Sequence, residues 1–163
     1  MTYKPNIDPS NIQNNILNYY EKRKKESIKH TDDYFYHCAN ACESPIEQLM
    51  IAEIFAIGMR DGINNGKPFD RFCPQYKVGV YRIDIALFLE LGSNSYKLAI
   101  ECDGHDYHER TEKQARRDKK KDRYLQSQGW LIARFTGSEI YKNPCKCLEK
   151  AIDMVIELDI ANG

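Results

Sequence analysis

Asp84, Glu101 and Asp103 stand inside the two largely apolar runs of the stretch YRIDIALFLELGSNSYKLAIECDG (residues 81 to 104), which also carries Glu90 beside its turn. Like charges side by side on neighbouring strands repel, and burying each ion is expensive unless something neutralises it. A divalent cation would do so. Hard ions such as Mg²⁺ select carboxylate and carbonyl oxygen and are usually held by only one or two protein carboxylates, with water filling the octahedron. Taken singly, each residue has a plainer reading: Asp84 paired with Arg82 or Lys97, or Asp103 beginning a turn before Gly104. Three carboxylates converging on one end of one hairpin favour the cation.

A second group is basic. Lys113, Arg116, Arg117, Lys119, Lys120, Lys121 and Arg123 face only Asp118 and Asp122 locally, in a chain whose formal net charge is zero. A solvated helix face accounts for Arg116, Lys120 and Arg123. Gln114, Arg117, Asp118 and Lys121, continued by Leu125 and Gln128, follow one helical stripe. Leu125 with Tyr124 must dock this helix on the sheet, so the stripe is expected to look toward the edge carrying Glu101 and Asp103. Cations so placed neutralise phosphate oxygens.

The elements that position these groups follow from periodicity and punctuation. Asp8-Pro9-Ser10 starts a helix running to about residue 27, and residues 30–43 read as a short helix or a loop packed on the core. Ser44 as N-cap and Pro45 at the first position open a helix from 45 to about 58, with Ile46, Leu49, Met50, Ile54 and Ile57 on one stripe. Glu47 completes a capping box with Ser44, an alternative to any part in chemistry. A loop from Asp61 to Pro68 leads to a strand near Gln75 to Val80, which passes through Gly79 into the hairpin. If the hairpin turns near Gly92 and Ser93, position 84 falls opposite, or within one residue of, position 101, and Asp103 shares the face of Glu101. A helix from Thr111 to Gln128 ended by Gly129, a strand over 130–136 and a helix opening at Asn143-Pro144 complete the order. This α/β order implies a mixed sheet, hairpin plus a further strand, sandwiched between helices. At 163 residues it makes one core domain, 44–163, with an N-terminal helical extension, 1–43, packed on it.

No apolar export segment follows Met1 and no apolar run approaches membrane-spanning length, so a soluble cytoplasmic protein is expected, with no membrane partner. The six cysteines are expected as reduced thiols. His37, Cys38, Cys42, Cys145 and Cys147 match no standard zinc spacing.

Asp84, then Glu101-Cys102-Asp103-Gly104, then Gln114, Asp118 and Lys121 on a helix, then Gly129-Trp130 and Arg134-Phe135 on a strand, resemble the PD-(D/E)XK, restriction-endonuclease-like superfamily. More narrowly, they resemble its small stand-alone branch related to very-short-patch mismatch repair endonucleases. The resemblance covers roughly residues 44 to 158 and places Glu47 where that branch has a glutamate on its first core helix. It implies a three-layer α/β/α restriction-endonuclease-like core and a metal-dependent phosphodiesterase acting on DNA. Asp84 and Glu101, with the Cys102 carbonyl and Asp103, would hold Mg²⁺, or Mn²⁺ as a substitute, and Glu47 would act directly or through water.

The superfamily motif normally ends in lysine where this chain has Asp103, as that branch commonly does. Lys121, Lys119 or Gln114 is then the expected source of the missing polar contact. His105 and His108 are candidates for general acid or base, since the branch places a histidine shortly after the Asp-Gly pair, here at a slightly shifted spacing. Arg117, Lys119, Lys120 and Lys121 are the expected phosphate contacts. The alternative is a nuclease-fold nucleic-acid-binding module without catalysis. Glycosidic hydrolysis by two carboxylates is disfavoured by the basic helix. No base-reading module is recognisable, which leaves specificity to loops, a homodimer or a partner protein.

Overall fold

The hairpin organises the sheet. Strands β2 (Tyr81–Leu91) and β3 (Asn94–Asp103) pair antiparallel from Leu91 opposite Asn94 to Ile85 opposite Ile100. Their two-residue connection begins with Gly92 at φ +61°, the position where a type II′ turn requires positive φ. In the computed structural model, which describes residues 14–60, 71–104 and 111–162, β1 (Arg71–Val78) adds antiparallel to β2. β4 (Trp130–Thr136) lies parallel to β3. The sheet is therefore mixed, in the order β1-β2-β3-β4. The parallel pair needs a crossover, and α3 (Glu112–Ser127) supplies it.

The other helices are α1 (Asn14–Ala41), α2 (Pro45–Arg60), α4 (Gly137–Lys142) and α5 (Pro144–Asn162). The expected helix start at Asp8 and the loop from Asp61 lie outside the described residues. By internal contacts the chain divides into two units, Met1–Tyr36 and His37–Gly163. In the first, the helix carries surface ion pairs, Arg23 with Glu26 and Lys24 with Glu21. Helix α1 continues to Ala41 where an end near residue 27 was expected, because the sequence from 14 to 41 contains neither proline nor glycine to stop it. Helix α4 was not foreseen, although its signal is present: Thr136 and Glu139 form a reciprocal capping box.

The second unit holds the core. Ile85, Leu87, Leu89, Leu98 and Ile100 of the hairpin are buried, as are Met50, Ile51 and Ile54 of α2 and Leu148, Ala151 and Val155 of α5. Each large side chain so buried contributes about 1.5–3 kcal/mol. Ile51 joins this core while Leu49 is only half-buried, because α2 packs on both α4 and α5 and so buries more than one stripe. A separate cluster joins Ile83, Ala86, Ala99, Leu125 and Trp130. Around it the rings of Tyr76, Phe88 and Trp130 lie 5.5–5.6 Å apart, and Lys97 adds its ammonium over Trp130. Leu125 thereby seats α3 on the sheet. Among the described residues no helix is long and apolar enough to cross a membrane.

Between β1 and β2, Gly79 has φ +58°, and a Cβ there would meet the Tyr124 hydroxyl at 2.2 Å. Gly92 also has positive φ, but a Cβ there would meet nothing within 4 Å. Gly92→Ala is expected to cost about 1 kcal/mol, the left-handed backbone penalty. Gly79→Ala is expected to cost about 2–3 kcal/mol, since Tyr124 must also be displaced. Urea denaturation checks this; equal losses would mean that the Tyr124 ring swings aside freely.

Candidate active site

Strand alternation sets the acidic end of the sheet. On β3, Ala99 lies in the cluster that receives Leu125, and Glu101 and Asp103 follow on the same face. The parallel register puts Arg134 of β4 directly beside Glu101. On α3, Lys121 precedes Leu125 by one turn, so it reaches the sheet one step further along, at Glu101. The contact is close: Lys121 Nζ lies 2.5 Å from Glu101 Oε2. Arg134 spans the remaining acids, with Nη1 3.9 Å from Glu101 Oε2 and 3.4 Å from Asp103 Oδ1, and Nη2 2.5 Å from Asp122 Oδ1.

Asp84 arrives by a different route. The β2–β3 ladder ends at Ile85 and Ile100, and the β1–β2 ladder skips Gln75 and Asp84 between the pairs Pro74–Ile85 and Tyr76–Ile83. Gln75 has φ +53°, which breaks the pleat of β1. Ile83 and Ala86, which regular alternation would send to opposite faces, consequently share one cluster. In the gap, Asp84 Oδ2 accepts the Cys102 backbone N–H at 2.7 Å. The carboxylate thus does the work of a ladder carbonyl and is pinned to β3 beside Glu101.

Glu47 sits in the first turn of α2. It is buried; its Oε1 accepts the Ser44 hydroxyl at 2.7 Å, and its Oε2 accepts the Glu43 backbone N–H at 3.0 Å. Ser44 Oγ in turn accepts the Glu47 backbone N–H at 3.4 Å, while the carboxylate reaches the N–H of Glu43 and not that of Ser44, so only the Ser44 half of the expected capping box is formed. The same Oε2 also accepts the Gln75 side-chain Nε2 at 2.6 Å, which ties α2 to β1.

Helix α3 is turned by one step relative to expectation. Asp118, Lys121, Asp122 and Leu125 form the inward stripe, while Arg117 and Gln128 are exposed. Gln114 is exposed too, its Oε1 drawn back by the Thr111 N–H in a capping box. Lys119, Lys120 and Arg123 lie on the solvent side, and Arg116 pairs with Glu112 at 3.6 Å. His105 and His108 lie outside the described residues. In the sequence, Arg134 figures only as part of the resemblance, with no site role, and Asp122 and Gln75 were given none either. A lone arginine in the apolar run WLIARFT was the available signal for the first. Pro74, which within a sheet marks an edge strand or a bulge, was the signal for the last.

The electrostatics are those of carboxylates held against their preference. Burial first, then the Asp84 charge, pushes the Glu101 carboxyl from 4.5 up to about 7, with Lys121 and Arg134 pulling the other way. Burial also raises Asp84, opposed by the Cys102 hydrogen bond and reinforced by Glu47. Burial lifts the Cys102 and Cys42 thiols as well, Cys42 to about 12, so neither is a ready thiolate. Glu101 Oε1 is buried without a hydrogen-bond partner among the described residues. Among those residues no group of three or more His, Cys, Asp or Glu side chains forms a ready-made metal cage.

A pH dependence follows. Because the folded Glu101 pKa lies above the unfolded value, its contribution to stability is complete below about 4.5 and is lost as pH rises through about 7. Without divalent cation, wild type is expected to lose stability relative to Glu101→Gln between about pH 5 and about pH 8. Urea denaturation of both proteins at the two pH values checks this, and a difference that does not change with pH would remove the buried carboxyl as its source.

A family model described as REase_MTES_1575 matches residues 69–155, a span that contains Asp84, Glu101, Lys121 and Arg134 but not Glu47. A Type II nicking enzyme, V.HpaIIP of Haemophilus parainfluenzae, is 31% identical over 112 residues, which make up 65% of this chain and 79% of that protein. No solved structure matches. With more than half of its length matched, the chain belongs to the restriction-endonuclease-like family that REase_MTES_1575 describes.

Proposed function

We propose that this protein is a metal-dependent DNA endonuclease that cuts one strand of a duplex, built on the three-layer PD-(D/E)XK core with Asp84 and Glu101 at its centre. The observation that carries the reading is the acidic end of the hairpin: a buried Glu101 with one unpartnered oxygen and an ammonium at 2.5 Å, its carboxyl pushed up by burial and by the charge of the half-buried Asp84. Family membership and the nicking activity in the relative's name support DNA as substrate.

The donors fit a hard cation. Glu101 Oε1 is an unsatisfied buried acceptor, Asp84 repels Glu101, and one or two carboxylates suffice for Mg²⁺. Asp84 and Glu101, with the Cys102 carbonyl, would hold it; when bound it supplies Lewis acidity and charge neutralisation at the scissile phosphate. The protein's own groups do the rest. Asp84 is held in place by the Cys102 N–H, so its oxygens need not reorganise. Lys121 carries a positive charge beside Glu101, where it can steady a non-bridging phosphate oxygen and the charge developing in the transition state. Exposed Arg117, Lys119 and Lys120 on α3 provide phosphate contacts along the duplex.

Asp103, where the superfamily motif has lysine, favours the reading of a binding module without catalysis; the ammonium that Lys121 brings from α3 to Glu101 answers it. Incubation of supercoiled plasmid with Mg²⁺, Mn²⁺ or EDTA decides between them. Wild type is expected to yield open circles only with metal, and Asp84→Asn and Glu101→Gln to lose more than about 100-fold of that activity while staying folded. DNA retained without any cutting would establish the binding module instead. Lys121→Met is expected to slow single-turnover cleavage by about 10²–10³-fold with little change in DNA affinity; loss of affinity alone would make Lys121 a docking contact.

A further inference from the structure

Gln75 carries an oddity that neither the fold nor the proposed chemistry explains. It is not glycine, yet its φ is +53°, a left-handed conformation that costs an L-residue energy and is retained only where the surroundings impose it. It lies on edge strand β1, where regular backbone was available, and is bracketed by Pro74–Ile85 and Tyr76–Ile83, which puts it level with Asp84. The side chain is committed at one end only. Nε2 donates to Glu47 Oε2 at 2.6 Å, while Oε1 is buried with no hydrogen-bond partner among the described residues. A buried amide oxygen left unpaired is costly. An edge strand gains nothing from strained backbone plus an orphaned acceptor, whereas an acidic site gains an oriented one.

We infer that Gln75 is a positioning residue of the acidic site: through Nε2 it orients the Glu47 carboxylate, and through Oε1 it offers an acceptor to a water that enters beside Asp84. This rests on the nuclease reading above and adds to it a residue on β1 that acts through Glu47. The strained backbone has a function in this arrangement. It breaks the alternation of β1 and turns the amide toward α2, where Glu47 lies.

Gln75→Gly separates the side chain from the backbone, because glycine adopts this φ without strain and deletes the amide. Gln75→Glu keeps the shape and the acceptor but replaces the donor by a charge that repels Glu47. The test measures single-turnover nicking of plasmid with Mg²⁺, DNA affinity in EDTA and urea stability for both variants, for Glu47→Gln and for Gln75→Gly combined with Glu47→Gln. Gln75→Gly is expected to stay folded and to bind DNA as wild type does, yet to cut at least about 10-fold more slowly. Gln75→Glu is expected to be slowed at least as much. In the Glu47→Gln background, Gln75→Gly should cost less than about threefold more, since both changes remove one unit. Full cutting by Gln75→Gly, or losses that multiply in the double variant, would overturn the assignment while leaving the nuclease reading intact. A wild type that cuts nothing would overturn both.

Discussion

Ionised carboxylates in an apolar sheet face a steep desolvation cost, and the architecture around Glu101 is a set of answers to it. Lys121 comes from the crossover helix, Arg134 from the parallel neighbour strand, and the Cys102 amide serves the adjoining Asp84. These compensations are partial: the Glu101 carboxyl still sits at about 7, and one of its oxygens has no partner among the described residues. A merely structural ion pair is improved by pairing every charge. Incomplete neutralisation is what a site needs if an arriving cation or phosphate is to gain by completing it.

The position of each compensating group follows from regular geometry interrupted once. Parallel pairing sets Arg134 beside Glu101, and helical repeat sets Lys121 one turn from Leu125. The interruption is at Gln75 and Asp84, where both ladders of β2 lose their regular pairing. Without it, alternation would keep Ile83 out of the cluster around Leu125. Breaks of this kind recur where a sheet must re-aim side chains.

Much of this was legible from residue order. Two apolar runs flanking a Gly-Ser-Asn-Ser turn marked the hairpin, and the position of Asp84 relative to Glu101 followed from it. Thr111, Gly129 and Pro144 bounded the later helices, because capping and proline chemistry are local. What escaped detection was tertiary or strained. Arg134 matters through a register between strands separated by a helix, which no local pattern records. Gln75 matters through a backbone angle that glutamine rarely adopts. The rotation of α3 was set by the pocket that receives Leu125, and the run of charges alone could not choose among neighbouring stripes.

The order in which the strands can meet bears on how the protein acquires its site. β2 and β3 are joined by two residues, whereas β4 reaches β3 only after the whole of α3 has been laid across the sheet. Contacts between near neighbours in sequence form faster than those that must close a long loop. The acids lie on the locally paired hairpin, and both cations lie on the half that a long loop must close. The charge balance around Glu101 is therefore a property of the closed fold: a hairpin without α3 and β4 presents its acids with neither Lys121 nor Arg134 beside them.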